Sequence, residues 1–511
     1  MVEKTKDYKL EKNLKLIAKT SMVVFIGIFL SKLLMYIYKI IIARYFGPEI
    51  YGVFSLSIMV LGWILSFAAL GLSEGFLRFV PLYRGEKGAN KIKSLFRFSM
   101  ILLISTSIFS GLILFFLADF IAINFFHNAL LGRFLKYFSF LIPAYLLSTF
   151  FVSTLRSFEK ISLFSFLTNI FQNVIKVGSL GLFIFLGFKV NSVIFSYLVG
   201  IFSLLIVSYF VCKKKTPEIF GKSFLDKKAK SNIISDFFSY SWPLMFFSFS
   251  VSIFPWIDSF AIGFFKNVYD VGIYNAAVPI AFLLYFAPEI FVQLFFPLIT
   301  KEFSRKNLDL IRELSKQVGK WIFALNLPFL LILIAFPGAI INLLFGPQYI
   351  EVEQALRILS FGVFLASIFR ISDVLIAMKG KSKIILINIV VASTINLFLN
   401  FLLVPKYGLI GAALSTTISY VILSMMQMFE AKHYLSIVPL KREIIKILLV
   451  SMIPLTLLLI IKQFLPSTIM GIILQGIFFV LVYILLILST KCLDKNDWMI
   501  LKTIKNKLFF K

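Results

Sequence analysis

Lys32 and Lys39 stand seven residues apart in one apolar run, two helical turns, and so share a helix face. Asn169, Asn173 and Lys176 recur at i, i+4 and i+7 and draw a polar stripe along a second run, while Arg370 and Asp373 are spaced to pair within a third. An ionisable side chain at the centre of a membrane helix costs roughly 2.5–3.5 kcal/mol, so such residues mark functional sites by default. Cations outnumber anions at depth, which suits an anionic substrate. Lys32, Lys39, Lys176, Asn169, Asn173 and Arg370 are therefore the candidate substrate contacts. Glu74, Asp258, Glu289 and Asp373 lie within or at the ends of apolar runs, where they either balance those cations or take up a coupling H⁺ or Na⁺.

Structural roles compete with these. Lys39 and Arg357 lie close enough to the outer ends of their runs to snorkel to water. The asparagine stripes, and the short face made by Asn396 and Asn400, also suit hydrogen bonding between helices. Lys32 sits too deep for easy snorkelling.

Little else in the sequence points to chemistry. Cys212, Cys492, His127 and His433 are scattered without metal-ligand or nucleophile spacing, so neither a metal nor another cofactor is expected. Gly221-Lys222-Ser223 and Gly380-Lys381-Ser382 look like the end of a phosphate-binding loop. The first glycine of that loop is replaced by Thr216 and Leu375, which leaves them as basic turns. A membrane-embedded glycan-processing enzyme would gather acids in a large outer loop, whereas Glu49, Asp270, Glu351 and Glu353 are dispersed.

The elements that must hold these residues follow from composition. Of 511 residues 60% are hydrophobic and only 15% charged, with a mean hydropathy of +0.95. That is too much apolar surface for a water-soluble fold. Lipid offers no partner to a free peptide group, so the spans are helical, each about 20 residues long. Runs near 21–43, 51–72, 95–118, 134–155, 161–186, 190–211, 236–258, 271–298, 321–343, 355–377, 384–404, 409–430, 443–462 and 469–489 predict an all-α polytopic membrane protein with about fourteen transmembrane helices. The net charge of +28 sits in clusters between runs, which argues for membrane topology and against nucleic acid. Lys213, Lys214, Lys215, Lys227, Lys228 and Lys230 crowd one loop, and the positive-inside rule then puts that loop and both termini in the cytoplasm.

An internal repeat is visible at an offset of about 220 residues. Tyr51-Gly52-Val53-Phe54-Ser55 matches Val271-Gly272-Ile273-Tyr274-Asn275, and Leu135 with Ser139-Phe140 matches Leu356 with Ser360-Phe361. Six spans separate the copies, so both keep one orientation, a parallel repeat about the membrane normal. The expected organisation is a cytoplasmic tail 1–20, a first six-helix lobe 21–211, a basic linker 212–235, a second lobe 236–430, two extra helices in 431–489 and a cytoplasmic tail 490–511. Two such lobes would face a central cavity.

Three segments carry a family resemblance. Ala43-Arg44-Tyr45-Phe46-Gly47-Pro48-Glu49-Ile50-Tyr51-Gly52-Val53-Phe54, the stretch from Trp256 through Phe265 to Val271-Gly272-Ile273-Tyr274-Asn275-Ala276-Ala277, and Leu344-Phe345-Gly346-Pro347-Gln348-Tyr349 resemble the polysaccharide-biosynthesis flippases of Wzx type. These exporters of lipid-linked oligosaccharides are similar to multidrug extruders and to peptidoglycan-precursor flippases. The resemblance implies alternating access, in which a V-shaped cavity accepts a polyprenyl-linked glycan head and reopens outward while the lipid tail stays in the bilayer. Ser31-Lys32, Glu74-Gly75 and Phe79-Val80-Pro81 resemble the peptidoglycan branch, but Tyr38-Lys39 stands where that branch has Arg-Asp. The expectation is a plasma-membrane flippase for a lipid-linked glycan. Its partners would be membrane lipids, a coupling H⁺ or Na⁺ and glycan-assembly enzymes. A cation-coupled multidrug extruder of the same fold is the alternative.

Overall fold

A computed structural model describes residues 27–464, apart from 87, 222, 225 and the side chain of 294, together with 470–490, 492, 494 and 497. The expected tail 1–20, the start of the first span and most of the expected tail 490–511 lie outside the described residues. Those described are helical, with no strand among them. In chain order the helices are α1 (Gly27–Ala68), α2 (Leu72–Gly85), α3 (Ala89–Asn124), α4 (Ala129–Ser139), α5 (Leu141–Ser157), α6 (Ile161–Phe185), α7 (Asn191–Lys215), α8 (Lys227–Phe265), α9 (Val268–Ser304), α10 (Leu308–Ala335), α11 (Pro337–Leu344), α12 (Pro347–Met378), α13 (Ser382–Leu435), α14 (Glu443–Phe464) and α15 (Met470–Ser489).

Eleven of these are long and apolar enough to cross a membrane, and α4 with α5, bent by 46°, make a twelfth if taken as one span. The difference from fourteen has a local cause. α1 covers 42 residues and α13 covers 54, each more than one bilayer thickness. Each holds two of the expected spans, with the boundary reduced to one non-helical glycine: Gly47 at φ 81° in α1 and Gly408 at φ 56° in α13. In α1 the break is written as Phe46-Gly47-Pro48, and the same tripeptide recurs as Phe345-Gly346-Pro347, where Gly346 has φ 107°. Proline excludes the preceding residue from the helical region and opens the next helix, and glycine alone takes the positive φ without strain.

The chain divides into two compact units, Met1–Asn275 and Ala276–Lys511, with the division inside α9. In the first, α8 packs on α1, α2 and α3. Small residues make this possible. A Cβ on Gly71 would lie 2.2 Å from the carbonyl oxygen of Ser241, and one on Gly75 would lie 2.0 Å from Ser241 Oγ. Phe79 then meets Phe237 and Tyr240 edge-on, and Arg78 lies over the Tyr240 ring.

The second close crossing is reciprocal. A Cβ on Gly52 would stand 1.9 Å from the carbonyl oxygen of Val268 and 2.9 Å from the nitrogen of Gly272. One on Gly272 would stand 1.9 Å from the oxygen of Pro48 and 3.0 Å from the nitrogen of Gly52. Pro48 and Val268, like Gly52 and Gly272, are 220 residues apart, so each repeat offers the other the same atoms, the pattern of a two-fold contact. Tyr51 Oη adds a hydrogen bond of 3.0 Å to the carbonyl of Asn275.

In the second unit, α9, α10, α12 and α13 surround a core that includes Ile299, Ile311, Ile322, Ile371 and Leu375. Lys320 on α10, only 1% exposed, is ion-paired with Asp497 and lies 3.4 Å from Asp494. Asp497 also accepts hydrogen bonds from Gln317 and from Trp321 Nε1, the latter at 2.7 Å, and Lys441 donates to Asp494. Two positions beyond α15 are thus tied to α10. Removing one partner of a buried pair leaves the other charge uncompensated, which costs about 3–5 kcal/mol. Lys320→Met is therefore expected to lower the thermal unfolding midpoint sharply, and Lys320→Met with Asp497→Asn to recover most of the loss. Burial pushes the Asp494 carboxyl upward, but hydrogen bonds from Lys441 and the Asp497 backbone and the charge of Lys320 outweigh it, holding the group well below the usual carboxylate range. A depressed folded-state value means this tie is intact above the ordinary carboxylate pKa and is lost as pH falls through the folded one.

Candidate functional site

In the first unit, α1, α6 and α7 converge on the polar stripe. Phe166–Phe171 within α6 forms a π-helical turn that contains Asn169, a local widening frequent at functional sites. Gly27 on α1 lets this stripe approach, since a Cβ there would lie 2.5 Å from Ser165 Oγ and 3.5 Å from Asn169 Nδ2. One turn on, Asn173 Nδ2 donates to Ser31 Oγ at 2.9 Å and to the carbonyl of Asn169 at 2.9 Å. The asparagines therefore lie along the Gly27/Ser31 edge of α1, whose next residue, Lys32, is half-buried.

Lys176 continues the stripe and is 9% exposed. Its ammonium lies 3.9 Å from the centroid of the Tyr197 ring on α7, and its stem lies over Gly200, where a Cβ would come within 2.4 Å of Lys176 Cγ. Among the described residues no carboxylate forms an ion pair with it. A desolvated cation–π contact supplies about 2 kcal/mol, less than the several kcal/mol that burying an ion costs. A negative group placed beside the ammonium would offset that cost. Tyr38 pins α1 to α7 beside the half-buried Lys39, through a 2.9 Å hydrogen bond between its hydroxyl and Ser196 Oγ and a 3.3 Å bond donated to the Val193 carbonyl. Phe138 stacks on Tyr197 and fixes the ring that faces the lysine.

The other candidates are placed separately. Arg370 and Asp373 pair at 2.6 Å in the second unit, and Gln427 donates to the other oxygen of Asp373 at 3.0 Å. Glu289 belongs to the same unit and is half-buried on α9. In the first unit, Asp258 is 7% exposed and accepts a hydrogen bond from Tyr274 Oη, while its neighbour Ser259 meets Asn275 Nδ2 at 2.9 Å. Asp258 thus helps bind α8 to α9. Glu74 is exposed in the first turn of α2 and forms no ion pair among the described residues. Asn396 donates to Thr416 across the Gly408 break at 2.9 Å, and Asn400 to the Asn396 carbonyl at 3.0 Å, so this face joins the two halves of α13. Cys212 and Cys492 are buried and unlinked.

Tyr197, Gly200 and Gln427 did not stand out in the sequence, and Tyr38 did so only as a departure from the peptidoglycan branch. Tyr197 and Gly200 are three residues apart on α7, an aromatic beside a gap on one helix face. That spacing acquires meaning only once Lys176 is known to be opposite.

Helices of this length and hydropathy, with polar stripes buried among them, define a multi-pass α-helical membrane protein of transporter type. The chain belongs to the polysaccharide biosynthesis protein family, whose sequence model matches residues 17–303. It is 23% identical over 401 residues to the "Putative O-antigen transporter" of Shigella flexneri, covering 75% of this chain and 89% of the relative. Its fold is similar to that of the lipid II flippase MurJ in an inward closed conformation, with a TM-score of 0.72 at 20% identity over 91% of this chain and 98% of the other. An inward-facing multidrug resistance MATE family transporter of the MOP superfamily follows with a TM-score of 0.66 at 16% identity over 80% and 94%.

Proposed function

We propose that this protein is a flippase that carries a lipid-linked oligosaccharide, joined to its lipid through a phosphate or pyrophosphate, from the cytoplasmic to the outer leaflet of the plasma membrane. Membership of the polysaccharide biosynthesis family and likeness to the Shigella relative support the glycan. The observation that carries the reading is Lys176, a buried lysine facing an aromatic ring, with no carboxylate paired to it among the described residues, in reach of a polar stripe. Lys32, Lys39 and Lys176 would meet the phosphate and Asn169 and Asn173 the sugars. Arg370 in the second unit would contribute a further cation. Glu74, Asp258, Glu289 and Asp373 would balance charge or bind a coupling H⁺ or Na⁺. Alternating access would move the head group while the lipid tail remains in the bilayer, and glycan-assembly enzymes would supply the substrate.

The test is outward exposure of lipid-linked glycan, measured in cells with and without the protein. No difference between the two would remove the proposal. The likeness to a multidrug transporter supports a second reading, drug extrusion. Cationic drugs would be repelled by lysines at depth, so that reading expects resistance to cationic compounds and no effect on glycan exposure.

Topology belongs to the same proposal, with both termini and the basic linker in the cytoplasm. With Cys212 and Cys492 replaced, a cysteine at the exposed Asn267 should react with an impermeant thiol reagent added outside, and one at the exposed Lys228 should not. The opposite labelling pattern would refute this orientation.

A further inference from the structure

A cleft of about 240 Å³ opens in the second unit where the end of α10 and the starts of α11 and α12 meet α14 and α15, lined in part by Phe336, Gly338, Glu353, Arg357, Lys462 and Gln475. Its two cations share one anchoring mode. The last carbonyls of α10 have no donor within the helix. Arg357 Nε donates to the carbonyl of Ile334 at 3.2 Å, and Lys462 Nζ to that of Ala335 at 2.7 Å, with the ammonium 5.0 Å from the Phe336 ring centroid. Arginine has five N–H donors and lysine three, so both keep donors to spare. Neither forms an ion pair with a carboxylate among the described residues.

Glu353 also lines the cleft, but its Oε2 sits where a Cβ on Gly338 would be 2.8 Å away, against the first turn of α11, whose amides favour a carboxylate. The charge of Arg357 and Lys462 is left for something else. Gln475, 3% exposed, lines the same space with an amide oxygen that accepts no hydrogen bond. The volume is below the roughly 300–1,000 Å³ of drug-sized pockets, enough for a small head group and too little for an oligosaccharide. Ile460 on α14 and Leu474 on α15 are more than half exposed, so the two helices that wall the cleft also carry exposed apolar surface that an acyl chain could cover.

We propose that this cleft binds the phosphate of an anionic phosphate ester whose head group also bears a hydroxyl, at a place separate from the Lys32/Lys176 site. Arg357 and Lys462 grip the phosphate from two elements, a guanidinium fork and a point charge. The hydroxyl donates to Gln475 Oε1, and the chain of a lipid lies along α14 and α15.

Native mass spectrometry of the purified full chain, with phosphatidylglycerol, phosphatidylcholine or inorganic phosphate added, tests this. Phosphatidylglycerol should stay bound to the wild type and bind about tenfold or more weakly to the Arg357→Gln, Lys462→Gln double variant, whose amides still offer an N–H to the α10 carbonyls. Phosphatidylcholine should not distinguish the two proteins. Lys462→Arg keeps the charge and should keep the lipid. If millimolar phosphate leaves phosphatidylglycerol in place, the ligand is a lipid head group; if phosphate binds alone and displaces it, the ligand is a free phosphate ester. Equal retention of phosphatidylglycerol by the wild type and by a double variant with an unchanged melting midpoint overturns the proposal, as does loss of the lipid from an equally stable Lys462→Arg. Either failure leaves glycan export untouched, since the readout is lipid binding.

Discussion

Lys176→Met is expected to cut outward exposure of lipid-linked glycan by about tenfold or more, the equivalent of about 1.4 kcal/mol in the transport step, with the protein still inserted and abundant. The apolar stem keeps its seat over Gly200 and only the ammonium facing Tyr197 disappears. The same change removes an ion buried without a carboxylate, so the melting midpoint should hold or rise while transport falls. That divergence separates a substrate role from a structural one. Lys32→Ala should also lose transport, and Lys32→Arg should retain part of it, because charge survives while geometry changes. Lys39→Ala, nearer the end of its span, should do less harm. Unchanged transport in both Lys176→Met and Lys32→Ala, at matched abundance, would leave these lysines without a part in substrate binding.

A side chain at the α1/α9 crossing should be equally damaging for a different reason. Gly272→Val places a Cβ 1.9 Å from the Pro48 carbonyl oxygen, a backbone atom that moves only if the helix moves. Overpacking of this kind costs about 1–3 kcal/mol and, with backbone on both sides, should reach the top of that range. Both the melting midpoint and transport are expected to fall. Gly62→Val on the same α1 is the control, because a Cβ there has nothing within 4 Å. If the two substitutions have the same small effect, the helices do not cross as closely as the structure places them.

The helical, membrane-spanning character was legible in the sequence because apolar runs of about 20 residues have one solution in lipid. Gly47-Pro48 was equally legible as a boundary, since proline forbids helical geometry in the residue before it. What the runs did not reveal is that the chain bends at Gly47 and Gly408 and continues, so that α1 and α13 each hold two expected spans. The Asn169/Asn173 stripe was readable from the 3.6-residue period, and so was the Arg370–Asp373 pair, because both are local to one helix. The Tyr197 ring over Lys176 is a contact between helices whose register no local pattern encodes. The Lys320–Asp497 pair is likewise non-local, its two residues lying 177 positions apart.

The reciprocal crossing of Gly52 and Gly272 also bears on how such a chain could have arisen. Before a duplication was fused into one polypeptide, two identical copies meeting there would have shared every change, so an added side chain would have clashed from both directions at once. Glycine at that position would then have been under double constraint. After fusion each copy could vary alone, and the pair beside it has done so. Tyr51 in the first repeat hydrogen-bonds across to Asn275, while its counterpart Val271 has no hydroxyl to return the bond to Ser55, whose own hydroxyl turns back to the Tyr51 carbonyl. The two glycines keep the symmetric contact, and the tyrosine breaks it.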